Sequence, residues 1–158
     1  MSAIIRPTVR VLLLDPTDRL LLFRSQSDTD GSDFWYPVGG GIEPGEAIGD
    51  AARREVAEET GVVEFEFGPE VWHRRHVVAW GGVTYDVRER WFLSRVPDQR
   101  MTTEGLTPGE KASILEYRWW SVDEMRRTAE RLTPTDLAAL LEELLVAGPP
   151  PSPVTVGV

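Results

Sequence analysis

Four glutamates crowd one short stretch of the chain. Glu46, Glu55, Glu58 and Glu59 stand in and just before a single helix, with Arg54 among them, and Ala47 to Thr60 reads as that helix, which stops at Gly61. A helical wheel advancing about 100° per residue separates a solvated charged face from something more specific. With Ile48 at zero, Ala51, Ala52 and Val56 fall within about 80° of it and define the face turned to the core. Glu55 and Glu59 fall about 20° either side of Ile48, inside that apolar arc, and Glu58 stands at its edge. Like charges one turn apart repel, and burial adds a desolvation penalty. A hard divalent cation removes both costs. Carboxylate oxygens suit Mg²⁺, with Mn²⁺ as the alternative, and Mg²⁺ characteristically combines a few protein carboxylates with water and substrate phosphates.

Gly40, Glu46 and the run Arg54-Glu55-Val56-Ala57-Glu58-Glu59-Thr60-Gly61-Val62 occupy the fixed positions of a known motif, and over Gly40 to Val62 the chain resembles the Nudix hydrolase family. The resemblance implies an α/β fold, an α/β/α sandwich with a mixed β-sheet. It also implies Mg²⁺-dependent hydrolysis of a nucleoside diphosphate linked to another group, such as a nucleoside triphosphate, nucleotide sugar or dinucleotide. Carried over by position, Glu55, Glu58 and Glu59 are the expected metal ligands, with Gly39 supplying a main-chain carbonyl. Arg54 and Glu46 are expected to orient the helix and its glutamates. In the family the general base comes from the box or from a later loop, so Glu58 and Glu110 are both candidates, with Glu104 and Glu116 as rivals to Glu110. Arg24, after the apolar run Leu20 to Phe23, stands where family members place a phosphate-binding base. About sixteen residues past the box, Val78, Ala79 and Trp80 match neither the proline associated with ADP-ribose nor the tyrosine associated with dinucleoside polyphosphates.

Positioning these groups requires a scaffold. Arg6 to Leu14 and Leu20 to Phe23 read as strands joined through Asp15-Pro16-Thr17-Asp18, followed by a polar loop at Ser25 to Ser32, then Phe34 to Pro37 as loop and a glycine-rich turn. Val71 to Trp80 and Val83 to Ser94 read as a hairpin about Gly81-Gly82. On the second of these strands Glu89 shares a face with Val87 and Trp91, an unexpected place for a charge. His73 and His76, three apart in the first, point to opposite faces and make a poor metal pair. Pro97 to Glu110 is predicted to be a mobile loop. Ser121 to Glu124 is a capping box, Thr133 a further cap, and Leu137, Leu140, Leu141, Leu144 and Leu145 make a core stripe. A single domain is expected over 1–147, with a stiff, extended proline-rich tail over 148–158.

Composition narrows the function further. The 158 residues carry 26 acidic and 17 basic side chains, a formal charge of −9, which opposes non-specific attraction to nucleic-acid polymers and anionic membranes. No apolar run approaches the roughly 20 residues of a membrane span, and no secretory signal is visible. With no cysteine there is no disulfide, thiolate site or cysteine nucleophile, which suits the cytoplasm. The expected partner is a small nucleotide diphosphate derivative, and a homodimer is compatible with the sequence. A nucleotide-sensing module without turnover is the rival reading, opposed by the intact glutamates. Isomerisation of a prenyl diphosphate is a third, opposed by the lack of cysteine.

Overall fold

A computed structural model of the chain describes residues 2–27 and 30–158. β1 (Ile4–Leu14) and β2 (Leu20–Gln26) are the central strands. Between them Asp15, almost fully buried, closes the turn by accepting from Thr17 N at 2.8 Å and Arg19 N at 2.9 Å. The two strands meet only at Leu14 and Leu20, then part. Into the gap beside β1 comes β4 (Val38–Gly41), antiparallel, with Gly39 opposite Arg10 and Gly40 opposite Val9. On its other edge β1 pairs in parallel along its whole length with β6 (Val83–Arg95), which is antiparallel to β5 (Glu70–Trp80). β2 in turn pairs with β3 (Asp33–Tyr36) and with β7 (Ile114–Trp120). Short β8 (Arg131–Leu132) and β9 (Val154–Thr155) complete a mixed, curled sheet of nine strands among the described residues.

Alternation along the central strands builds two cores. Val9, Val11, Leu13, Leu21 and Phe23 pack on Ala51, Ala52 and Val56 of α1 (Ile48–Thr60). Leu12, Leu14, Leu20 and Leu22, with Trp35, Trp72, Trp91 and Trp120, pack on the other side against Met125 of α3 (Val122–Arg127) and Leu137, Leu141 and Leu144 of α4 (Leu137–Ala147). The result is the expected α/β/α layering. No helix among the described residues is long and apolar enough to cross a membrane.

Several local expectations change. Phe34 to Tyr36 and Val38 to Gly41, read as loop and turn, are strands, because β2 and β1 each leave an edge that a four-residue segment satisfies. Ser25 and Gln26 belong to β2, while Asp28 and Thr29 of the expected loop lie outside the described residues. The 97–110 segment is docked rather than free: Thr102 N donates to Thr60 O at 2.8 Å, Leu106 is buried, and the segment ends in α2 (Pro108–Ser113), capped by Thr107. α4 begins at Leu137, not beside Thr133, because Leu137 N donates to Pro134 O and residues 134–137 form a turn. The proline-rich segment does not stand off from the body: Val154 and Thr155 pair with Trp72 and His73, and Val156 enters the core.

Candidate metal and catalytic site

α1 is set by its C-terminal end and by its contact with β4. Gly61, at φ 74°, takes the left-handed conformation that closes the last turn, its N–H donating to Ala57 O at 2.9 Å. The middle of the helix lies against β4, where glycine makes room for it. A side chain at Gly40 would begin 2.4 Å from Glu55 Oε1, so only hydrogen there lets the Glu55 carboxylate lie against the strand.

Glu55 and Glu59 are 6% and 4% exposed, as their place in the apolar arc demands. The docked 97–107 segment brings α2 over them, so that one carboxylate oxygen from each of Glu55, Glu59 and Glu110 lies within 4.8 Å of the others. Gly39 N donates to Glu59 Oε2 at 3.1 Å. In an antiparallel pair a residue's N–H and C=O point the same way, so the Gly39 carbonyl also faces away from β1, beside Glu59. Burial pushes the Glu59 carboxyl well above the usual carboxylate range, the charge of Glu55 adds to this, and Arg10 and the Gly39 N–H oppose it. Burial likewise raises Glu55, against the charge and hydrogen bond of Arg54. Three crowded carboxylates with so little compensating positive charge form a donor set that fits a hard divalent cation.

Arg54 holds the arrangement together. Its Nε and Nη2 donate to Glu46 at 2.9 Å each, Nη1 to Glu55 Oε1 at 2.9 Å, and Nη2 also to Gly41 O at 3.0 Å. One planar guanidinium thereby ties helix, connecting loop and β4. The Arg54 hydrogen bonds hold Glu46 down at about 2, so the pair is fully charged throughout the neutral range. A lysine carries the charge but not the fork. Arg54→Lys is therefore expected to lower kcat/KM about 10- to 100-fold, with the apparent metal requirement shifting to higher concentration in a Mg²⁺ titration.

The remaining candidates are placed less centrally. Glu58 lies outside the three-oxygen cluster, partly exposed, with Oε2 3.7 Å from Arg54 Nη1. Glu104 is exposed in the docked loop. Glu116 is paired with Arg24, whose Nε donates to it at 2.9 Å while Nη1 donates to Asp33 at 2.5 Å. Arg24 alternates with Phe23 and so lies on the Leu22 and Trp35 side of the sheet, opposite α1, and is not brought together with the glutamates.

Sequence reasoning passed over Arg10, which links the site to a second charged group. Its Nη1 donates to Pro37 O at 3.2 Å, just before the Gly39 backbone, and its Nε lies 3.5 Å from Glu89 Oε2. Glu89 also accepts from Arg74 Nη1 and Trp91 Nε1, both at 3.2 Å, and lies 3.4 Å from His76 Nε2. The only signal was an arginine flanked by Val9 and Val11 in the run that leads to Leu14.

Comparison with known proteins agrees with this architecture. The family model of the NUDIX domain matches residues 4–142. An RNA pyrophosphohydrolase of Caulobacter vibrioides is 31% identical over 132 residues, covering 75% of this chain and 73% of that protein. Nudix hydrolase 25 of Arabidopsis thaliana is 31% identical over 134 residues, covering 76% and 74%. Among solved structures, a MutT protein from Methanosarcina mazei Go1 aligns with a TM-score of 0.62 at 20% identity, over 90% of this chain and 94% of that one. The NUDIX domain of Shewanella oneidensis NrtR, complexed with ADP ribose, aligns with a TM-score of 0.60 at 19% identity, over 92% and 90%. The chain belongs to the Nudix family.

Proposed function

We propose that the protein is a Mg²⁺-dependent pyrophosphohydrolase that cleaves a diphosphate bond in a nucleotide derivative by attack of water. The observation that carries this reading is the convergence of Glu55, Glu59 and Glu110 beside the Gly39 backbone. Glu55, Glu59 and the Gly39 carbonyl would hold the metal, which when bound neutralises phosphate charge and acidifies water. Mn²⁺ suits the same oxygen donors. Arg54 and Glu46 keep Glu55 in place. Arg10 fixes the backbone entering Gly39 and offsets part of the negative charge around Glu59. Glu110 is the proton acceptor this reading favours, because α2 delivers it into the cluster whereas Glu58 stays on the outer edge of α1. The cysteine-free composition supports a cytoplasmic setting.

The name of one relative and the ligand bound by one structural neighbour add RNA and ADP-ribose to the substrates worth testing. Release of phosphate, pyrophosphate or nucleotide should be followed on nucleoside triphosphates, oxidised nucleotides, dinucleoside polyphosphates, nucleotide sugars, ADP-ribose and a 5′-triphosphorylated oligoribonucleotide. Turnover of at least one is expected, abolished by EDTA and restored by Mg²⁺. Saturable nucleotide binding with no turnover across that panel would favour the sensing module instead.

A further inference from the structure

Positive charge near the glutamates is scarce, and almost all of it is committed. On the elements that frame the cluster, Arg10 is bound to Pro37 O and Glu89, Arg54 to Glu46, Glu55 and Gly41 O, and Arg100 to Asp98. Arg6 and Arg53 lie over aromatic rings. Lys111, the one lysine of the sequence, differs from all of these: its side chain is exposed and has no ion-pair, ring or hydrogen-bond partner among the described residues. It follows Glu110 on α2, about 100° further round the helix axis, so the fold that points Glu110 into the cluster carries Lys111 at its flank. A flexible four-carbon stem gives its ammonium reach. The phosphate chain of a nucleotide brings more negative charge than one divalent cation offsets, and a protein of formal charge −9 supplies little else to meet it.

Lys111 also lines a pocket of about 270 Å³ with Thr103, Leu106, Ile114, Leu115 and Tyr117. The pocket lies on the α1 side of the sheet. Tyr117 is paired with Phe23 across β2 and β7, its ring stands edge-on to that of Phe23 at 6.5 Å, and Phe23 and Ile114 belong to the core under α1. Behind Thr103 and Leu106, a side chain on Gly105 would begin 2.9 Å from Glu58 O, so that wall abuts α1 itself. Glu116, the acidic group of the lining, is held by Arg24. Tyr117 is 44% exposed and Leu115 46%, apolar surface left in water within reach of a free cation. That pairing suits a ligand with both a π-face and a phosphate.

We propose that Lys111 and this pocket form the subsite that grips a nucleotide substrate, the ammonium on a phosphate next to those at the glutamates and Tyr117 against the base. The proposal rests on the reading of the glutamate cluster as the place of cleavage and adds residues that set specificity. Lys111 favours a phosphate chain that extends past the cleaved bond over a nucleotide sugar, whose neutral sugar offers the ammonium no charge.

The test uses a fluorescently labelled nucleoside triphosphate with methylene groups in place of both oxygens that bridge its phosphates, which is not hydrolysed, titrated in Mg²⁺ by fluorescence anisotropy. Wild type is expected to bind saturably, Lys111→Ala about 5- to 20-fold more weakly and Tyr117→Ala about 5- to 100-fold more weakly. Lys111→Arg and Tyr117→Phe, which keep the charge and the ring, should stay within about threefold of wild type. In turnover of the unmodified triphosphate, the loss in Lys111→Ala should fall on KM. Both side chains are exposed, so thermal melts of the variants should match wild type and show that they fold. Equal binding by wild type and Lys111→Ala, no saturable binding by wild type, or a fall in kcat alone, as displacement of α2 would give, overturns the subsite. Turnover with an unaltered KM in Lys111→Ala overturns the subsite and leaves the hydrolase reading intact, whereas Lys111-dependent binding without turnover of any substrate leaves the subsite intact and overturns that reading.

Discussion

Replacing Glu59 with glutamine is expected to lower kcat/KM on every hydrolysed substrate by about 10²- to 10⁴-fold while making the metal-free protein more stable. The two effects have one cause. Glu59 is almost fully buried, within reach of Glu55 and Glu110, and its carboxyl is pushed well up by burial and by the Glu55 charge. Without a cation that crowding is a cost to folding, and the isosteric amide removes a charge without removing volume. Under the proposed assignment the same oxygens would hold the cation, and losing one would weaken an interaction worth several kcal/mol to a reaction that develops charge on phosphate. Thermal melts with and without Mg²⁺ separate the contributions. Wild type should gain stability as the metal is added, whereas Glu59→Gln should start from a higher melting temperature in EDTA and gain little. A variant with full activity and an undiminished Mg²⁺-induced rise would overturn the ligand assignment. Gly39 N–H, which donates to Glu59 at 3.1 Å, can still donate to the amide oxygen, so the backbone at the site should hold.

How much of this could be seen in the sequence depended on how local the determining interactions are. α1 was legible to its last residue, because the stop at Gly61 is local backbone chemistry and the inward turn of Glu55 and Glu59 follows from helical period alone. The β5–β6 hairpin was legible for the same reason: Gly81 and Gly82, at φ 59° and 77°, fill a two-residue turn that few other residues accept. β3 and β4 stayed hidden, since four residues are too few to show a period and β4 is mostly glycine, and both fill edges left where β1 and β2 diverge after Leu14 and Leu20. α2 is closed by a capping box of Thr107 and Glu110 in the structure, but six residues with no buried side chain present no amphipathic pattern in the sequence. Glu110 could thus be named as a candidate without any account of how it reaches Glu55 and Glu59. That depends on Thr102 docking against the end of α1, a contact between segments some forty residues apart. Arg24 shows another kind of non-local dependence: its position after an apolar run is legible, but which side of the sheet it faces required the register with Trp35 and Glu116.

The same lack of local signal surrounds Glu89, whose loss is expected to have the largest effect on stability. Burial alone would raise this carboxyl, yet the His76 hydrogen bond and the charges of Arg10, Arg74 and His76 prevail and hold it at about 2. Glu89 is 4% exposed and Arg74 is 5% exposed, so Glu89→Gln leaves a buried guanidinium facing an amide, with Arg10 also deprived of its partner. Removing one member of a buried ion pair costs about 3–5 kcal/mol near neutral pH. The pH dependence gives the variant a signature that a simple packing defect lacks. A carboxyl whose folded pKa lies below its unfolded value of about 4.3 contributes stability that is complete above that value and disappears as pH falls through about 2. Wild type and Glu89→Gln should therefore differ most at pH 6 to 7, and the gap between their urea midpoints should narrow from about pH 5 downward. A gap that stays constant from pH 7 to pH 3 would mean that the amide disturbs packing and that the carboxylate charge is not what holds Arg10 and Arg74. Because Arg10 also bonds Pro37 O, two residues before Gly39, the neutral-pH loss should be accompanied by a fall in kcat, while variants that destabilise only the α4 side of the core should retain it.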